Sequence, residues 1–355
     1  VPFPTPAWKG IEQSLGQMRF DPISLTVQGE PSTNPPPQIK GMLKCGEHCD
    51  AFWTQDQFFV MHEPGVLQEI KLTDATWKHA LFWEVSWDGE CIWLFAHGQG
   101  IVAFKPDGTR LATFNARDHL PGYDRGICLL GLSPRRALAV GSFGENKRAW
   151  CGVLEIDEQG KPSVDLFFEA KLAAEGRPAA ESAADPLTAF RPNWIHRFNS
   201  AGGNSTVFVG RSELKGALEI DLQTRQVSVS KFLNTSSFGR QAFFSHNGNL
   251  IASLGGNSLM QYTVADDNTA VRRQKLSTID PYVDQLLLHD GWLYVPGKVW
   301  RRMDPDELQL QRLQPSNSRL PTRYWSMKFG VSAHYGLVGH SLYENQPPLF
   351  QISVD

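Results

Sequence analysis

Residues 82–114 read FWEVSWDGECIWLFAHGQGIVAFKPDGTRLATF, and the punctuation of this stretch decides the fold. Phe82 to Trp87 reads as a strand, Asp88-Gly89 as a tight turn and Cys91 to Ala96 as a second strand. His97-Gly98-Gln99-Gly100 turns the chain into a third strand, Ile101 to Lys105, and Asp107-Gly108 turns it into a fourth, Arg110 to Phe114. Two-residue hairpin turns require positive φ, which Gly and Asp tolerate at low cost. Four antiparallel strands in 33 residues make one sheet unit.

Outward from this unit the pattern repeats. Gly98, Gly141, Gly210, Gly255, Gly297 and Gly339 stand 43, 69, 45, 42 and 42 residues apart, each closing an apolar run, and are read as marking turns. A period of about 40 to 50 residues with several short strands per unit is the signature of β-propeller blades, which pack radially and leave only short edges. The 69-residue gap contains Glu169 to Pro186, EAKLAAEGRPAAESAADP, an Ala-rich segment without strand chemistry. Residues 169–190 are therefore an insertion between blades. Phe58 to His62 and Val66 to Ile70 supply a further unit at the front, giving seven. The last unit shows three strands, Trp325 to Val331, Gly336 to Leu342 and Leu349 to Val354. A fourth is expected from Phe20 to Val27, FDPISLTV, joining both ends of the chain in one blade. The expected architecture is all-β: a seven-bladed propeller of four-stranded antiparallel blades forming a single domain over residues 1–355, with residues 1–40 as tether and closing strand.

Composition bounds the partners. The 355 residues carry a formal net charge of -3 and a pI near 6.4, which excludes a general electrostatic footprint for nucleic acid. No run approaches the roughly 18 apolar residues of a membrane span. The opening VPFPTP, without an initiator Met, is consistent with a mature form after signal cleavage or with a domain cut from a longer protein; location stays open, with an extracytoplasmic site preferred. Of five cysteines, Cys91, Cys128 and Cys151 fall in expected strands and read as small buried hydrophobes. Cys45 and Cys49, in CGEHC, have spacing for a disulfide or part of a metal site, but no second pair matches them; no metal or other cofactor is assigned.

Residues 87–144 resemble the repeats of two-component-regulator-type and NHL-like propellers. Asp88-Gly89, Ile92-Trp93, Gly98 and Gly100-Ile101 match the first half of such a unit, and Asp118-His119-Leu120-Pro121 matches the DGLP linker with His in place of Gly. Leu320-Pro321 repeats that linker faintly. The resemblance implies a binding or sensing module, and it brings no catalytic motif. The Trp-Asp dipeptide of WD40 units occurs once, at Trp87-Asp88, and does not recur at the period.

In a propeller the linkers before each first strand gather at one mouth of the central channel, where a ligand meets loops held by a rigid scaffold. The segments read as linkers are Glu47 to Asp50, Trp77 to His79, Tyr123 to Arg125, Arg191 to His196, Phe238 to Arg240, Tyr282 to Asp284 and Arg323 to Trp325. Tyr123, Arg125, Arg191, Trp194, His196, Arg240, Tyr282, Asp284, Arg323, Tyr324 and Trp325 are the candidate ligand-binding residues. Guanidinium groups match carboxylate, sulfate or phosphate bidentately and aromatic faces stack on rings, so the expected partner is an anionic small molecule or saccharide, or a protein presenting an acidic peptide. The insertion and the turn Ser142 to Ala149 are expected beside this mouth.

Ten histidines invite an enzymatic alternative. A lyase acting on acidic polysaccharide needs a base for the proton α to a uronate carboxylate and a cation to neutralise that carboxylate; His196 with Arg191, Tyr123 and Arg240 suits such roles, as would a hydrolase built on channel His, Tyr and Arg. Against this, no HxxxH, HExxH or GxSxG occurs, His62 and His97 read as matching repeat positions beside second turns, and His246, His289 and His334 fall near first turns on the opposite face. Asp266-Asp267 and Asp304/Asp306 read as solvated turn carboxylates. The reading preferred is a non-catalytic binding propeller.

Overall fold

The computed structural model describes residues 14–31, 37–71, 82–96, 99–115, 118–121, 127–143, 148–170, 192–199, 205–211, 217–230, 242–253, 258–264, 271–277, 285–297, 299–315, 327–341 and 349–355. Among them every regular element is a β-strand, and the strands form six sheets. The unit read from residues 82–114 is one four-stranded meander, Phe82–Trp87, Ile92–Ala96, Gly100–Phe104 and Arg110–Asn115, within a residue of its expected bounds. Three further four-stranded meanders span 127–169, 192–229 and 242–277.

First strands stand next to first strands. Gly41–Lys44 lies beside Phe82–Trp87, which lies beside Ile127–Ser133, then Pro192–Asn199, then Ala242–His246. Leu287–His289 lies against Met327–Ser332, and Met327–Ser332 returns to Gly41–Lys44. First strands gathered around one axis, with later strands stepping outward, are a β-propeller. Because each sheet is covered on both faces by its neighbours, middle strands read as unbroken apolar runs: Ile92–Ala96 and Gly100–Phe104 are buried at every position. The core is thus a series of slabs between sheets. One holds Trp93, Phe95 and Phe114 against Ile127, Leu129 and Trp150, and another packs Phe58 edge-on to Phe104, ring centroids 5.2 Å apart.

Three of the repeating glycines lie in strands and not in turns. Gly141, Gly210 and Gly339 lie inside second strands, each directly paired across the sheet with an aromatic residue: Trp150, Trp194 and Phe329 respectively. Gly41 pairs in the same way with Trp53. The aromatic ring lies flat on the glycine, so a Cβ at Gly141 would meet the Trp150 ring at 2.5 Å and one at Gly210 would sit inside the Trp194 ring. At these positions the glycine is where an indole or phenyl ring needs a strand position without a side chain. Gly297 falls just past Trp292–Val295, and Gly98 and Gly255 lie outside the described residues.

The N-terminal segment acts differently from the expected single strand Phe20 to Val27. Ser14–Ile23 pairs antiparallel with Leu349–Val354, Met18 opposite Val354 and Ile23 opposite Leu349. Its other edge pairs parallel with Leu310–Pro315. One eight-stranded sheet results, running from Leu287–His289 at one end to Met327–Ser332 at the other. The strand starts earlier than expected because Met18 and Phe20, 1% and 3% exposed, fill the core between its two halves. It stops at Ile23 because Ile23 and Leu25 turn into the core around Phe52 and Phe59, and Thr26–Val27 then adds in parallel to Val66–Glu69.

Two outcomes are expected. Deleting residues 1–30 removes the buried side chains of Met18, Phe20, Ile23 and Leu25 and a doubly paired strand, lowering the melting temperature by at least about 10 °C; an unchanged melt would show that this strand does not close the ring. Gly210→Ala destabilises by about 1–3 kcal/mol through overpacking, and the loss shrinks in a Trp194→Ala background. Additive losses in the double mutant would break the link between glycine and ring.

Candidate functional site

An innermost strand has one edge without a strand partner, and its N–H and C=O groups need partners of another kind. Side chains from neighbouring sheets supply them. Ser86 Oγ accepts the Gly131 N–H at 2.9 Å, and the Glu84 carboxyl accepts the Leu129 N–H. Gln285 Oε1 accepts the Phe329 N–H at 2.8 Å. Asp88, which also holds its own turn and the Trp93 indole N–H at 2.7 Å, accepts the Arg135 N–H at 2.8 Å. Asp50, fully buried, accepts the Ser332 hydroxyl and the Ala333 N–H, tying the first sheet to the last.

Of the eleven candidate residues, Trp194 and His196 are described; Tyr123, Arg125, Arg191, Arg240, Tyr282, Asp284, Arg323, Tyr324 and Trp325 lie outside the described residues. Trp194 and His196 stand two apart on Pro192–Asn199, so both face the next first strand, Ala242–His246. There Phe243 lies between them: its ring centroid is 4.3 Å from Trp194 and 5.5 Å from His196, nearly parallel to the latter. His196 Nε2 is 2.7 Å from Ser245 Oγ, and Ser245 Oγ donates to the Arg197 carbonyl at 3.1 Å. The serine has one proton, which it can give either to the Arg197 carbonyl or to Nε2, so the imidazole tautomer sets which of the two side chains donates.

Two titratable groups along this wall, His196 and Glu84, favour their neutral forms at pH 7. Burial pulls the His196 imidazole down to about 4. Burial also pushes the Glu84 carboxyl up to about 8, against the Leu129 N–H that favours its charge. The adjacent Cys128 thiol is raised by burial and by the Glu84 carboxyl. Among the described residues no three His, Cys, Asp or Glu side chains converge as a metal site.

Several expectations change. Glu47 to Asp50 does not precede a first strand: residues 45–49 connect Gly41–Lys44 to Asp50–Trp53, at the sheet end opposite the linkers. The chain reaches Gly41–Lys44 through 37–40 instead. His62 belongs to the third strand Phe58–Glu63 rather than a second turn, and its Nε2 donates to the Pro106 carbonyl of the next sheet at 3.1 Å; His97 lies outside the described residues. Asp306 is not simply solvated. It accepts from His246 Nε2 and Asn247 Nδ2, both at 2.9 Å, while Asp304 caps the N–H of Asp306 at 2.8 Å. His246, His289 and His334 do fall at first turns. Arg148, beside the expected mouth, pairs with Glu169 at 3.2 Å; the turn 144–147 and residues 171–190 of the insertion lie outside the described residues, as do Asp266-Asp267. Glu84, Phe243 and Ser245 were not among the candidates. The signal for Glu84 was there, a single acid inside the apolar run FWEVSW.

These neutral groups set the pH response. Unfolded chain takes up a proton at His196 near 6.5 while the folded protein does so near 4, so stability falls as pH drops through that window. His196→Gln, which keeps an N–H donor toward Ser245, flattens this acid limb in melting curves between pH 7 and pH 4.5. Folded Glu84 holds its proton to about 8 against 4.5 unfolded, so stability also falls as pH rises through that range, and Glu84→Gln flattens that limb. A variant melting with the wild-type pH slope would contradict the corresponding assignment.

No family model matches the chain, and no curated protein matches it in sequence; the likeness of residues 87–144 to two-component-regulator-type and NHL-like repeats therefore carries no family membership. Solved structures match in shape. The Cps50 (Swd1) β-propeller domain of Myceliophteria thermophila is similar at TM-score 0.57 and 10% identity, covering 90% of this chain and 99% of that one. A chain of the mitotic checkpoint complex matches at 0.57 and 11% identity, covering 99% and 98%. YCF48 bound to D1 peptide matches at 0.55 and 11% identity, covering 96% of each chain. At these identities the comparisons establish the fold: the chain is a β-propeller.

Proposed function

We propose that residues 1–355 form one seven-bladed propeller domain that binds an acidic segment of a protein partner, without catalysis, at the channel mouth. The blade count rests on reading the eight-stranded sheet as two blades: its first strands, Leu287–His289 and Met327–Ser332, lie at opposite ends, and Ser14–Ile23 is an outer strand shared between them. The observation that carries the non-catalytic reading is the setting of His196: its Nε2 lies 2.7 Å from Ser245 Oγ, burial pulls the imidazole down to about 4, which makes it a weak base at neutral pH, and among the described residues no carboxylate bonds to either group. The aromatic stack of Trp194 and Phe243 is a wall for contact with a partner.

Tyr123, Arg125, Arg191, Arg240, Tyr282, Asp284, Arg323, Tyr324 and Trp325 complete the proposed mouth, and their guanidinium groups select carboxylates. A peptide occupant is favoured over a saccharide because YCF48, a propeller of similar shape, is known in a peptide-bound form. The test is a binding screen of acidic peptides and acidic glycans against wild type, Arg240→Ala and Trp194→Ala. Acidic peptides are expected to bind, with each substitution weakening them about tenfold or more, and with salt weakening the wild type. Equal binding by wild type and both variants, binding by glycans alone, or no binding by any would overturn the proposal.

A further inference from the structure

Cys45 and Cys49 take no part in the mouth, and their geometry has a consequence of its own. Lys44 and Asp50 are the last paired residues of the first two strands. Cys45 and Cys49 are opposed one step beyond them, with the Cys45 N–H donating to the Cys49 carbonyl at 2.8 Å. Opposed residues in such a pair have Cα atoms about 5.5 Å apart, inside the roughly 4.4–6.8 Å range that a disulfide spans. Both side chains point to one face of the sheet, where they pack with Ala51, Phe58 and Val60 at 3% and 5% exposure. The remaining cysteines have no such partner: Cys128 lies opposite Val140, Cys151 lies between Val140 and Phe168, and Cys91 belongs to a different core slab.

We propose that Cys45 and Cys49 are a disulfide-forming pair that locks the turn beside the ring closure. In the reduced chain the two thiols donate only over long distances, Cys45 Sγ to the Leu43 carbonyl at 3.6 Å and Cys49 Sγ to the Asp50 carbonyl at 3.8 Å, and the sulfurs accept from the Ala51 and Met61 backbone, so closing the bond gives up no strong S–H hydrogen bond. The next residue, Asp50, holds Ser332 and Ala333 of the last sheet. Fixing the turn therefore fixes the residue that joins first and last sheets.

The chemistry is exchange with a small disulfide. The Cys49 thiolate attacks RSSR, forming a mixed disulfide and releasing one RS⁻; the Cys45 thiolate then attacks the Cys49 sulfur and releases the second. Two protein thiols are oxidised and one RSSR is reduced to two RSH, with the protons passing to the released thiolates. Burial raises both thiols, Cys49 to about 11 and Cys45 further with the charge of Cys49 adding. Exchange in the folded chain is therefore slow, and the bond forms during folding or when the turn opens.

The test is refolding with oxidised glutathione as the small disulfide, against a control refolded with a reducing agent. After oxidation and denaturation, three of the five thiols are expected to titrate, and the peptide that starts at Cys45 is expected to lose two hydrogen masses and resist alkylation. The oxidised protein is expected to melt higher than the reduced one, and that difference to vanish in Cys45→Ser and in Cys49→Ser. Five titratable thiols after oxidation, stable mixed disulfides with glutathione, or a bond joining any other pair would overturn the proposal. The mass and thiol counts on wild type do not depend on whether either variant folds.

Discussion

Everything in this ring follows from the unpaired inner edge of each sheet. A strand facing a central axis cannot be paired by another strand, yet its amides are too enclosed to be left to water alone. The chain answers with acceptors sent across from adjacent sheets: Ser86 and Glu84 reach toward Ile127–Ser133, Gln285 toward Met327–Ser332, and Asp50 toward Ser332 and Ala333. These bonds run from one sheet to the next. They turn a set of separately hydrogen-bonded sheets into one body, and they fix the spacing of the axis along which a partner would approach.

The same requirement governs the electrostatics of the wall. A carboxyl and an imidazole placed there for their hydrogen bonds are deprived of water, and each settles into its neutral form. Charge appears instead toward the outer parts of the sheets and the turns, as in the ion pairs of Arg225 with Asp165 and of Arg135 with Glu90. The inner wall thus offers shape, aromatic faces and hydrogen bonds.

Much of the scaffold was legible in the sequence because turn chemistry and apolar alternation are local properties. Asp88-Gly89 and Asp107-Gly108 bound their strands as their backbone requirements dictate, and both glycines have positive φ. The period was legible too, but its cause was not: nothing local distinguishes a glycine needed for a turn from one needed under Trp194 or Trp150. The N-terminal strand was recognised by pattern but misplaced in register, since its ends are set by where Met18 and Leu25 find cores built from distant parts of the chain. The site was legible only in part. His196 and Trp194 were found although they were expected in a linker and lie inside the first strand Pro192–Asn199, whereas Phe243 and Ser245 become partners only when two first strands some 50 residues apart are brought side by side.

The strand Ser14–Ile23 also orders events in time. Met18 must meet Val354, 336 residues further along (354 − 18), and at synthesis rates of about 5–20 residues per second that partner emerges only after tens of seconds. Until then the edges at Leu310–Pro315 and, once made, Leu349–Val354 are open, and the segment destined for them is an unoccupied β-strand of the same chain. Of the strands described, Ser14–Ile23 is made first and seated last. Ring closure is thereby a late checkpoint: a chain that lacks Leu349–Val354 keeps Ser14–Ile23 adhesive, and two such chains have the means to complete each other.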